Sequence, residues 1–537
     1  MELIYFKNAH IWSGQEQQAH SMLVENGRIV SLDPEKIPSA AKIIDLDGKF
    51  LMPSFADGHA HPLFAGREWQ GPLVTELPSI EETLSNLKAY ADAHPEDSWI
   101  VGGAYDAALT PSGNFDAHWI DAVVSDRPVL LHAMDHHTVW VNSKALEISK
   151  IADIDYELKV GTIERRPDGT ALGTLREWDA IALVTKHIPP RKIEDDIQAI
   201  EYASERYAKC GVTWVQDAWV DPGMAEPYIE AAKTNRLKIG FNLAFRADPT
   251  TWREDIAYFL DQRKIIENLP VTQNLTAFTI KFFADGVIEG GTADMLEEYC
   301  DHPGYLGMPV WELENLKSAV AEFDKLGFQV FIHAIGDRGI RNSLDAVEFA
   351  QKINAPRPRR HVITHLQLVN PNDLPRLKSL NVIANFEPLW TKLDPMQEVL
   401  SVPRLGEERA GMQYQMRSIL DLGVPLSFGS DWPVTSEIPL EGLAVAVHRQ
   451  MPDKTPTEGW VPEERITISE ALRAYTSGVA YQAFEDDNFG KLLPGYSADM
   501  IVLDQDPREM DPHEVGRMQV ISTYRKGLKI YEKDPTN

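Results

Sequence analysis

Between about residues 190 and 435 the hydrophobic pattern repeats one phrase: an amphipathic helix, a glycine, then a short apolar strand. Ile193, Ile197, Ile200, Tyr207 and Cys210 recur near the helical period and predict one buried helix face over 193–210. Gly211 follows, free to take the left-handed conformation that ends a helix, and 212–217 then reads as a strand. Leu313, Leu316, Val320 and Phe323 make the next stripe, closed by Gly327 and followed by a strand ending at His333. Met412, Met416 and Ile419 make a third, with Gly423 and then an apolar run ending at Ser430-Asp431. Further strands are predicted over 237–245, 278–283, 361–365 and 381–386, and with the one around Phe55 they total eight. Strands alternating with helices imply right-handed crossovers and a parallel sheet, and eight of them predict an α/β chain with a (β/α)8 TIM barrel. A doubly wound open sheet competes, but it needs a glycine-rich phosphate loop after an early strand, and none is found there.

The chain ends have a different texture. Leu3 to Phe6, Ser21 to Val24 and Arg28 to Val30 are short strand-like runs, with Glu25-Asn26-Gly27 as a hairpin turn. Residues 498–504 and 520–525 resemble them. Such pieces are too short to bury a core alone. Because chain termini often lie close in space, 1–52 and 490–537 are expected to form one small β-sandwich domain. The barrel is then expected over 53–70 and 190–489. Residues 71–189 interrupt it after the first strand, on the face where barrel enzymes carry their chemistry, and predict a lid over the active site.

Composition narrows the class. Hydrophobic residues make up 43% and charged residues 25% of the 537, as in ordinary globular proteins. A net charge of −29 opposes binding to nucleic acid or anionic membrane, which leaves a small-molecule partner. No apolar run is long enough to span a membrane, and the first residues do not read as a signal peptide. With only Cys210 and Cys300, a cytoplasmic location without disulfides is expected.

The chemistry sits in the polar residues that close the apolar strands. His59 and His61, at i and i+2 on an extended segment, point to one side. Lys281 interrupts the apolar run 278–283, while His333, His365 and Asp431 end three later strands. In a barrel these ends converge on one axis. Neutral imidazoles, one carboxylate and a site open to water are what a hydrolytic metal centre requires. An ammonium between cations would be repelled, but Lys281 carbamylated by carbon dioxide becomes an anionic bridge with two oxygens.

These residues resemble the amidohydrolase superfamily, over nearly the whole chain. The resemblance is carried by His59-Ala60-His61, Ile280-Lys281, His333, His365, Ser430-Asp431, the run from Gly490 to Gly495, and Ala498-Asp499. The runs from His137 to Ser143, Gly173 to Glu177 and His333 to Arg338 are most similar to the YtcJ-like, amidohydrolase-3 branch. The resemblance implies that His59, His61 and Asp431 bind one metal and that His333 and His365 bind another, with carbamylated Lys281 between them. It implies a metal-activated hydroxide that cleaves a C–N bond in an amide, an N-formyl or N-acyl amine, or a cyclic amide. Asp431 would act as general acid/base. Two zinc ions are expected, though iron or manganese suits the same ligands. A homodimer is also in keeping with the family.

Glu177 competes with Lys281 as the bridge, and Lys281 is preferred because it closes a barrel strand. Glu387 stands where the resemblance leads us to expect Gln, which suggests a cationic or donor-rich substrate. His137, Arg176, Glu177, Asp285, Glu387 and Trp432 are the substrate-pocket candidates, with Trp140 and Asp337 behind them. Asn142 is read as the cap of a short helix over 144–149. Two alternatives stand beside the hydrolase: a mononuclear deaminase of an aminoheterocycle, which the bridging lysine argues against, and an inactive scaffold barrel, which the retention of all six ligands argues against.

Overall fold

The computed structural model describes residues 2–15, 18–75, 77–153, 158–270 and 274–534. Eight parallel strands lie side by side in chain order: β1 Phe55–Ala60, β2 Val212–Val220, β3 Gly240–Arg246, β4 Leu275–Phe283, β5 Gln329–Ala334, β6 Val362–His365, β7 Ile383–Phe386 and β8 Leu426–Phe428. Consecutive parallel strands require a return path, and the helix–glycine–strand phrase supplies it. Ile193–Lys209 buries Ile197, Ile200 and Tyr207 and ends before Gly211, at φ +85°. Leu313–Lys325 stops short of Gly327 (φ +83°), and Met416–Asp421 short of Gly423 (φ +70°). Two stripe residues fall outside the expectation. Ile193, in its helix's first turn, is 51% exposed, and Met412 precedes a helix that begins only at Met416.

The barrel closes between β8 and β1, which share no regular ladder among the described residues. The amides of Ser430 and Asp431 instead donate to the His59 carbonyl at 3.1 and 2.7 Å. This approach needs glycine on both sides. A Cβ on Gly58 would lie 2.8 Å from the Phe428 carbonyl oxygen, and one on Gly429 would lie 2.6 Å from the His59 nitrogen. Gln482 stitches the seam, donating from Nε2 to the Gly58 carbonyl at 2.7 Å and accepting from the Ser427 hydroxyl at 2.6 Å.

Both chain ends share one six-stranded sheet, in which Phe50–Pro53 runs antiparallel to Met500–Leu503 with Met52 opposite Ile501. A four-stranded sheet from the N-terminal residues packs with it through Ile4, Phe6, Met22, Leu51, Met500 and Val502. The turn at Asn26-Gly27 has φ of +50° and +80°, as the hairpin required. Between β1 and β2 the chain builds a separate five-stranded sheet from Ile100–Tyr105, Val129–Ala133, Thr138–Val141, Thr162–Arg165 and Ala171–Arg176. Asn142 caps Ser143–Ile148, its side chain accepting from the Ala145 amide. No helix among the described residues is long and apolar enough to cross a membrane.

Replacing Gln482 by leucine keeps its bulk but leaves the Gly58 carbonyl and the Ser427 hydroxyl buried without their present partners. The expected loss is roughly 2–4 kcal/mol of stability in urea unfolding. A change below about 0.5 kcal/mol, the scale of an ordinary surface substitution, would show that the seam does not depend on this side chain.

Candidate metal centre and active site

His59 lies on β1, and His61 lies one residue beyond it, at the start of the helix Pro62–Trp69. The spacing of two still brings their rings to one cavity, with centroids 5.3 Å apart. Lys281 on β4 places Nζ 3.3 Å from His59 Nε2. His333 and His365, from β5 and β6, have ring centroids 4.6 Å apart, and His365 is 4.8 Å from His59. Asp431 follows β8 and places Oδ1 2.8 Å from His61 Nε2 and 3.4 Å from His59 Nε2. All six line one cavity of about 90 Å³ and are buried. Residues up to 372 positions apart thus meet at the C-terminal ends of the barrel strands.

The ring orientations are set from outside the cavity. His59 Nδ1 is 2.6 Å from the Thr364 hydroxyl, which in turn lies 3.0 Å from Glu387 Oε1. His365 Nδ1 is 2.8 Å from Glu387 Oε2, and His333 Nε2 is 3.2 Å from the Gly286 carbonyl. With those nitrogens protonated, His59 and His365 keep Nε2 free and His333 keeps Nδ1 free. Fixing a ligating imidazole through its other nitrogen is the usual support of a metal site. The Glu387 carboxylate is therefore spent on histidines, and the expectation of a cationic substrate drawn from it is corrected. Burial pushes this carboxyl up from its ordinary value against the pull of His365.

The donor set fits a divalent cation. Burial, together with the positive charge of Lys281 and the neighbouring imidazoles, holds His59 well below the usual imidazole range. Burial does the same for His333 and lowers His61 to about 4. These rings are neutral at physiological pH, with lone pairs to offer. Burial also brings Lys281 down to about 7. Burial opposes ionisation of Asp431, yet His61, His365 and Lys281 around it together keep the carboxyl below its ordinary value. Its Oδ1 is buried and makes no hydrogen bond of good geometry, even with His61 Nε2 at 2.8 Å. Lone pairs facing one another in this way are what a cation between them resolves. His59, His365 and Asp431 bring ligand atoms within 4.8 Å of one another.

The remaining predicted residues divide sharply. His137 enters the cavity from the inserted segment, its ring 5.2 Å from that of His333. Glu177 does not take the place of Lys281. One of its oxygens lies 2.9 Å from His137 Nδ1 and the other accepts from the Thr292 hydroxyl at 2.5 Å, at a backbone φ of +60°. Asp285 accepts three backbone N–H groups, from Asp294, Ile335 and Gly336, and burial pushes its carboxyl up to about 8. Arg176 is consumed within the insertion by Glu164, Asn114 and the Gly113 carbonyl. Trp432 packs edge-on against Tyr207, Trp140 donates to the Asp116 carbonyl in the insertion's core, and Asp337 accepts from the Leu296 amide. Of these, only His137 lines the cavity. His136, Trp219 and Trp390, absent from the predicted set, also line it. The adjacent His136-His137 pair was the signal for the first; nothing in the spacing marked the tryptophans.

The model of the amidohydrolase family matches residues 42–531, and the chain belongs to that family. It is similar to the protein LONG AFTER FAR-RED 3 of Arabidopsis thaliana, at 30% identity over 96% of this chain and 88% of that one. It is 25% identical to the putative amidohydrolase YtcJ of Bacillus subtilis, over 91% of this chain and 90% of that one. An N-substituted formamide deformylase of Arthrobacter pascens is 26% identical, over 99% and 98% of the two chains. Among solved structures, an uncharacterized metal-dependent hydrolase from Pyrococcus horikoshii shares the fold. It superposes with a TM-score of 0.76 at 24% identity, over 95% of this chain and 99% of that one.

Glu387→Leu removes the acceptor that His365 and Thr364 both face. The expected result is metal affinity lowered by about 10–100-fold in chelator competition, with the fold retained by circular dichroism. Unchanged affinity would show that this carboxylate does not orient the ligands.

Proposed function

We propose that this chain is a metal-dependent amidohydrolase that cleaves a C–N bond in an amide, an N-formyl or N-acyl amine, or a cyclic amide. The observation that carries the reading is the convergence of four imidazoles, three of them braced from outside, with Lys281 and the unsatisfied Asp431 oxygen on one cavity. Membership of the amidohydrolase family and the named deformylase relative support it. His59, His61 and Asp431 would hold one divalent cation, His333 and His365 a second, and carbamylated Lys281 both. Zinc is the first choice for nitrogen and oxygen donors, and iron or manganese fits as well. Such cations, when bound, supply Lewis acidity, polarising the substrate carbonyl and bringing water toward ionisation near neutral pH.

The protein's own groups do the rest. Asp431, kept ionised by the groups around it, accepts a proton from the attacking water and returns it to the leaving nitrogen, so that amine and carboxylate separate. Lys281, lowered to about 7, offers a neutral amine to carbon dioxide; an N–C bond forms and a proton leaves. His137, held by Glu177, presents its free nitrogen side to the substrate from the insertion. Trp390 stacks on His365 at 5.0 Å and limits water there. The same reading treats 1–52 with 490–537 as one unit, 53–70 with 190–489 as the barrel, and 71–189 as the segment over the site.

A single-cation deaminase has one observation in its favour, the compact trio of His59, His365 and Asp431. Lys281, with Nζ 3.3 Å from His59 Nε2, favours two cations, because a one-cation site has no use for a buried amine there. Elemental analysis decides between them: two ions per chain are expected, and one tight ion with unmodified Lys281 would favour the deaminase.

His333→Ala and Asp431→Asn are each expected to lower turnover of N-acyl and N-formyl amines by more than about a thousandfold, with unchanged circular dichroism. Near-wild-type turnover in either variant would refute the assignment. Chelation should abolish activity, and zinc with labelled bicarbonate should restore it and leave the label on Lys281. Restoration by zinc alone in carbon dioxide-free buffer would remove the carbamate from the scheme.

A further inference from the structure

A second cavity, of about 550 Å³, lies against the catalytic one of about 90 Å³, and His136 and Trp219 line both. The cations that the smaller chamber fits would take part of its room, which leaves space for a small acyl group and little else. The larger cavity is walled by Phe64, Val101, Trp178, Ile181 and Ile188. Trp219, in the partition, packs edge-to-face on Trp178 at 4.7 Å and on Phe64 at 5.3 Å. The cavity's three arginines are already paired, Arg67 and Arg191 with Asp196, and Arg246 with Asp221 and Asp248. Its arginines are therefore not free for an anionic ligand. At the partition, Glu68 Oε1 and His136 Nε2 lie 3.0 Å apart, yet neither makes a hydrogen bond of good geometry. These are buried polar atoms at the boundary between the chambers, and the hydrolytic scheme above uses neither of them.

We propose that the second cavity is the leaving-group subsite, so that the substrate pairs a small acyl group with a bulky, apolar, aryl-bearing N-substituent. This rests on the C–N hydrolysis proposed above. In that reaction the carbonyl carbon gains an oxygen from water, the C–N bond breaks, and the water's protons end on nitrogen, giving a carboxylate and an alkylammonium ion. The ammonium forms at the partition, where the Glu68 carboxylate is placed to accept from it, while its apolar substituent stays among the aromatic walls. A bulky acyl group on the other side of the amide would have to fit the smaller chamber.

Two isomeric amides test this: N-(2-phenylethyl)formamide and N-methyl-2-phenylacetamide hold the same atoms with the phenyl group on opposite sides of the amide. The metal-loaded, bicarbonate-treated enzyme should hydrolyse the formamide with a kcat/KM at least about tenfold higher. Ala182 is exposed and lines the second cavity away from the metal ligands. Ala182→Trp should cut kcat/KM for the phenylethyl formamide by about tenfold or more and leave N-methylformamide unchanged. Equal rates for the isomers, or an equal effect of the variant on both formamides, would overturn the subsite. Binding of 2-phenylethylamine, followed by calorimetry, does not depend on turnover. It should weaken in Ala182→Trp, or in Thr185→Trp should the first variant fail to fold. Amine binding lost in these variants, with no amide turned over, would remove the hydrolysis reading and keep the subsite. No amine binding to the parent protein would remove the subsite itself.

Discussion

Four imidazoles, an amine and a carboxylate share one buried cavity, and the structure depends on how their charges are settled. Each protonated ring would sit beside the others in a low dielectric, a cost that burial and mutual repulsion convert into neutral, electron-donating nitrogens. Neutral donors still need partners, because an unsatisfied buried nitrogen is itself unfavourable. The surrounding groups answer part of that need, though not for His61, whose Nδ1 has no hydrogen-bond partner. Thr364, Glu387 and the Gly286 carbonyl take the outward nitrogens of His59, His365 and His333. The inward nitrogens and the Asp431 oxygen face one another, a geometry that suits a shared cation better than any proton arrangement.

The scaffold bends locally to hold that arrangement. His365 and Asp431, each beside a strand end, have φ of +72° and +54°, and Glu177 has +60°. Non-glycine residues in this region cost on the order of 1–3 kcal/mol and persist where the surroundings over-determine them. At the barrel seam, Asp57 accepts from the His59 amide, the Ser430 amide and hydroxyl, and Tyr207, so the first and last strands are tied beside His59, His61 and Asp431. Burial raises its carboxyl to about 7. The seam and the site are thus one construction.

The six residues proposed as metal ligands were legible because each is a polar residue at the end of an apolar strand, and barrel topology turns that one-dimensional position into a common place in space. Pocket residues lack such a rule. Arg176 and Glu177 are neighbours in sequence, yet one is bound up inside the insertion while the other braces His137. Trp140 and Trp219 are equally large and aromatic, but the first fills the insertion's core and the second stands between two cavities. Glu387 read as a substrate contact because its charge was visible, whereas its partners, 22 and 23 residues earlier, were not.

The sequence by itself determined the eight-strand repeat, the glycine-terminated helices and the six polar residues that converge on the cavity, since periodicity and strand-end position are local properties. Only the tertiary structure decided which nitrogen each histidine turns inward, which carboxylates brace rather than bind, and where the second chamber lies. Those outcomes depend on contacts between segments tens to hundreds of residues apart, whose distances no local pattern encodes.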